Sequence, residues 1–115
     1  MVLLRGSGEF TGHGYDFSVV MDGSGDGGVP RGKLLMDFGA AVVGGDADSL
    51  AACRDGVRRA LGEEALADAA GVAAIFNAVV RVADATGIPL EDAKAAASEK
   101  VRAEIGIDAF ADGKA

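Results

Sequence analysis

Between Glu63 and Leu90 the chain carries a long, nearly all-apolar segment, and this segment limits most strongly what the chain can fold into. Past its acidic start it is almost entirely Ala, Val, Ile and Phe. Three polar residues, Asn77, Arg81 and Asp84, recur in it at helical spacing, and Gly87-Ile88-Pro89 ends it abruptly. A helix apolar on most faces is not a surface helix; it needs the centre of a bundle or of an oligomer. Its longest apolar region, Ala69 to Val80, is broken by Asn77 and closes at Arg81. That length suits a buried helix rather than a membrane span.

The residues on either side of this segment predict three further helices. The first is expected from Pro30 to about Val43, with Pro at the first helical position and Gly44-Gly45 as the stop. Leu34, Leu35, Phe38, Ala41 and Val42 would form its apolar stripe. The second is expected to begin at Asp46 or Asp48 as N-cap and to run to Leu61, with Gly62 behind it. Leu50, Cys53, Val57 and Leu61 mark its inner face, and Arg54, Asp55, Arg58 and Arg59 its outer one. The central helix follows from Glu63 to Gly87. The fourth is expected from Pro89 or Leu90 to Gly106, with Leu90, Ala93, Ala97, Val101 and Ile105 as its stripe, and Ile107 and Phe110 folding back on the bundle. Residues 1–29 hold eight glycines, which disfavour regular structure. Within them the alternation of Tyr15, Phe17, Val19 and Met21 predicts a short strand. The expected architecture is therefore all-α: a bundle of about four helices over residues 30–115, preceded by a Gly-rich irregular segment over 1–29.

Charge and cysteine content narrow the function classes. Eleven basic residues stand against 18 acidic ones, for a net charge of −7. Nucleic-acid binding needs a basic patch, so no nucleic-acid partner is expected, and an anionic membrane surface is disfavoured for the same reason. One cysteine excludes an internal disulfide and fits a reducing, cytoplasmic setting. The opening Met1–Arg5 is too short to supply the apolar region of a signal peptide.

The pattern Phe76-Asn77-x-x-x-Arg81-x-Ala83-Asp84-x-x-Gly87-Ile88 resembles the C-terminal half of AhpD-like proteins, of the alkylhydroperoxidase and carboxymuconolactone decarboxylase superfamily. Leu34 to Val42 is similar to the helix that precedes it in peroxidase-related members, and the resemblance spans about residues 32–107. It implies a helical, homo-oligomeric protein. Its catalytic signature, a Cys-x-x-Cys-x-x-x-His motif, has no counterpart here. Cys53 and His13 lie 40 residues apart, in the wrong order and without a second thiol, so the family's thiol chemistry passes to no residue of this chain. The reading is of an AhpD-like oligomeric protein, non-catalytic on its own, associating through the central helix. Two alternatives stand beside it: a ligand-binding protein or enzyme using an interhelical pocket near Asn77 and Arg81, and a partial subunit that completes a catalytic partner.

Asn77, Arg81 and Asp84, at i, i+4 and i+7, are the candidate ligand-binding residues. The bland reading gives them structural partners instead, since charges near a core need pairing. Cys53 reads as a small hydrophobe. Asp22-Gly23-Ser24-Gly25-Asp26-Gly27 matches half of a calcium loop, but Lys33 stands where the closing Glu belongs. Gly23-x-Gly25-x-x-Gly28 fits a dinucleotide fingerprint, yet Asp22 and Asp26 would repel a pyrophosphate and no second strand follows. One His and one Cys make no zinc site, and Asp37-Phe38-Gly39 lacks every other kinase part. No cofactor and no metal are expected. Gly6-Ser7-Gly8-Glu9-Phe10 also reads as linker.

Overall fold

Residues 8–109 are described by the structure, a computed structural model. The Met1–Arg5 opening, the first residues of the linker-like stretch and Phe110 lie outside them. The architecture is all-α, and no strand is present among the described residues. A helical turn over 8–11 precedes five helices: α1 (Val19–Asp22), α2 (Gly32–Gly44), α3 (Ala47–Leu61), α4 (Glu63–Thr86) and α5 (Asp92–Ile105).

Helices α2, α3 and α4 pack on one another around Phe38, Val57 and Leu66, with Leu34, Val42, Leu50 and Cys53 closing the edges. Sequence-local chemistry sets their ends. The carboxylate of Asp46 accepts the Ser49 N–H at 3.2 Å and caps the start of α3. Gly62, at φ 90°, ends α3 by donating its N–H to the Arg58 carbonyl and leads directly into α4. Gly87, in the left-handed region, stops α4 with its N–H on the Ala83 carbonyl. The start of α2 departs from expectation. Pro30 lies outside the helix, Arg31 takes a left-handed φ of 60°, and Gly32 opens the helix. The first turn is capped from a distance, because Asp26 Oδ1 accepts the Lys33 N–H at 2.9 Å. A Cβ on Gly32 would collide with the Asp26 carbonyl oxygen, which is why the chain can close there.

The strand expected over 15–21 is replaced by a turn and the short helix α1. Tyr15 and Phe17 are ordered by tertiary packing instead: Phe17 is buried with Val101 and Ile105 at the end of α5, and Tyr15 packs against them. The glycine-rich loop is irregular in backbone but folded back on itself. The Asp16 N–H meets the Gly27 carbonyl at 3.0 Å, and a side chain on Gly28 (φ 86°) would strike the Gly14 carbonyl. The fourth long helix also differs from expectation. It starts at Asp92, and of its predicted stripe only Val101 and Ile105 are buried; Leu90, Ala93 and Ala97 are exposed. Ile107 is exposed as well, so the chain after Gly106 does not return to the three-helix core there. The reason is that α5 packs on the N-terminal segment and not along α4.

Candidate functional site

Helix α4 is only partly enclosed. Its first half lies against α2 and α3, where Leu66 is buried, but Leu66 is the one buried residue of its 24. Val72, Ile75, Phe76, Val79 and Val82 are each more than half exposed. Within this chain the central helix is therefore not at the centre. Its exposed residues are ordered all the same. Val72, Ile75, Val79 and Val82 follow one another at alternating steps of three and four, which is the spacing of a helix–helix seam. By length and composition α4 also meets the requirement for a bilayer span. However, its first turn carries Glu63 and Glu64, Asp68 follows in the second, and its first half is committed to α2 and α3.

At about 100° per residue, Asn77, Arg81 and Asp84 fall on one side of α4, opposite Val72 and Val79. That side continues the line of Leu66 and Ala70, which pack against the α2–α3 cluster about two to three turns earlier. The three residues thus share a face, as their spacing requires. Asn77 is half-buried, and Arg81 and Asp84 are exposed.

An open groove of about 440 Å³ lies elsewhere, between α2 and the first half of α4. Leu35, Phe38 and Gly39 form one wall, and Ala65, Ala69, Val72 and Ala73 the other. Leu61 closes one end, and Asp68 is its single charged lining residue. None of Asn77, Arg81 and Asp84 lines it. Sequence reasoning missed this groove, although its signal was there: Ala65, Ala69 and Ala73 are small residues at steps of four, which leave a furrow beside the bulkier residues of α2.

The other candidates are drawn into local structure. Cys53 is half-buried against the Phe38–Val57–Leu66 cluster. Asp22 accepts the Ser24 N–H at 2.8 Å, and bonding to the Ser24 hydroxyl and backbone holds its carboxyl below the ordinary value. Asp26 occupies the N-terminus of α2, where the phosphates of a nucleotide would have to lie. Lys33 Nζ pairs with Asp37 at 2.9 Å. His13 Nδ1 lies 2.8 Å from the Thr11 hydroxyl. Among the described residues no group of three or more His, Cys, Asp or Glu side chains is placed to hold a metal ion. Comparison with protein-family models, with curated proteins and with solved structures gave no match.

Proposed function

We propose that this chain is an AhpD-like helical protein that assembles with copies of itself through α4 and, without a redox Cys pair, is non-catalytic on its own. The observation that carries the reading is the outer face of α4: a regular row of Val and Ile, more than half exposed in the single chain. Exposed apolar rows of this length mark contact surfaces in soluble proteins. The Phe76-Asn77-x-x-x-Arg81 pattern supports the family part of the proposal, and the absence of any cysteine besides Cys53 supports the non-catalytic part. Net charge and cysteine content fit a cytoplasmic protein whose partners are neither nucleic acid nor membrane.

The test combines solution mass by light scattering with a hydroperoxide turnover assay using a thiol donor. A dimer or larger assembly with no turnover is expected. A monomer at micromolar concentration removes the assembly, and turnover that disappears in Cys53→Ser removes the non-catalytic reading.

The groove favours one alternative, a small-molecule-binding protein, since about 440 Å³ is in the range of ligand sites. Such a ligand would be apolar and would meet Asp68, not Arg81.

A further inference from the structure

Three exposed features of this chain are complementary to one another but cannot meet within one copy. The seam residues Val72, Ile75, Val79 and Val82 occupy the middle and end of α4. The α2–α4 groove lies at the N-terminal end of that seam. Ile88 and Leu90, each more than half exposed, lie just past its C-terminal end. Ile88 is 20 residues from Asp68, about 30 Å along a helix, so a chain's own Ile88 cannot reach its own groove.

Building on the assembly proposed above, we propose that the occupant of the groove is a second copy of this chain. Two α4 helices pack antiparallel about a two-fold axis level with Asn77 but on the opposite, apolar side of the helix, and the Ile88–Leu90 segment of each copy covers the groove of the other. The register follows from the residues. With the axis at that level, Ile75 faces Val79 of the second copy and Val72 faces Val82. These give four apolar layers with no charge inside them. The next layer at each end sets Asp68 opposite Thr86, an uncharged side chain whose hydroxyl donates to the Val82 carbonyl of its own helix at 2.7 Å, and beyond it the second copy's Ile88 and Leu90 arrive beside Ala65 and Leu61. A parallel pair would press Asp68 against Asp68 within the seam, and would leave each groove at the end of the dimer far from Ile88.

The area on offer is of the right scale. The four seam residues with Ile88 and Leu90, each more than half exposed, present about 600 Å² per copy, so a contact that covers them together with the rest of the groove approaches the roughly 1,200 Å² at which specific interfaces become stable. Arg81 faces away from the seam and is not part of this contact.

Single-cysteine variants in a Cys53→Ser background separate the arrangements. Val72→Cys and Val82→Cys are each oxidised alone and then after co-refolding as an equal mixture, with solution mass and helix content measured on all samples. In the antiparallel register neither variant crosslinks alone, because identical positions lie about 15 Å apart along the axis. The mixture then yields a disulfide-linked dimer. Crosslinking of each variant alone means a parallel pair and overturns the proposal. A dimer that crosslinks in no sample uses another surface or register, and overturns it while leaving self-association standing. A monomeric mass overturns both readings, and flotation of that monomer with phosphatidylcholine vesicles would identify a bilayer as the occupant. For the groove contact, Ile88→Glu should weaken dimerisation at least tenfold with helix content retained, whereas Arg81→Ala should not change it. An unchanged dissociation constant for Ile88→Glu overturns the groove contact.

Discussion

Asp46 shows how much of this structure is decided by single side chains. Its carboxylate accepts both the hydroxyl and the backbone N–H of Ser49, and these bonds, the hydroxyl first, hold its pKa below the ordinary 3.8. A group with a depressed folded-state pKa contributes stability above its unfolded value, and loses it as pH falls through the folded one. Asp46→Ala should therefore lower Tm at pH 7 by about 5 °C, the usual scale of a lost N-cap in a domain this size. The deficit should narrow as the pH is lowered through the carboxyl's depressed titration range, where protonation removes the charge from these bonds; thermal melts followed by circular dichroism would measure this. This cap was legible in the sequence, as were Gly62, Gly87 and Gly106, because capping is written in the few residues around a helix end. The cap of α2 was not. It comes from Asp26, seven residues before the N–H it accepts, and depends on a loop closure that Gly32 permits and no local pattern announces.

At the scale of elements, periodicity told which segments are helices but not which faces meet. The inner faces of α2 and α3 were readable because Phe38 and Val57 sit in regular apolar stripes, and both are buried. The stripe of α5 was misread over its first half, since Ala93 and Ala97 are too small to hold a helix in place and only Val101 and Ile105 find a partner. That partner is Phe17, whose alternating neighbours suggested a strand until tertiary packing set the conformation. The polar row of Asn77, Arg81 and Asp84 was legible as a face, but a sequence carries no sign of which side of α4 the other helices take. The attachment of α5 through Phe17 makes a prediction at this scale. Phe17→Ala removes the centre of the Phe17–Val101–Ile105 cluster, a loss of about 3–5 kcal/mol for a buried Phe. The loss should fall on α5 alone, because the Phe38–Val57–Leu66 cluster is separate. Native-state hydrogen exchange should show protection at Val101–Ile105 falling 100-fold or more, with amides of α3 unchanged. An equal loss in α3 would mean that the two clusters fold as one unit.

For the molecule as a whole, the surface is too large for the mass. The chain exposes 8062 Å², against about 5,800 Å² for a compact monomer of 11.5 kDa. Its radius of gyration of 15.4 Å likewise exceeds the about 13 Å expected at this length. Among the described residues seven apolar side chains are buried, and six of them fall into two separate clusters of three. A core this small and this divided gains most from association, and folding coupled to association has a property that a self-sufficient monomer lacks. Mass action makes its stability depend on protein concentration, by about 1.4 kcal/mol of dimer for each tenfold change. For two chains melting together, that amounts to about 3–6 °C in Tm per tenfold dilution. The parent protein should show this slope between micromolar and millimolar concentration. Ile88→Glu should flatten it and bring the melt down to the parent's value at high dilution. Scans at three concentrations decide the matter. A Tm that does not move would mean that the two small clusters suffice on their own, and that the row from Val72 to Val82 stays in water at no cost to folding.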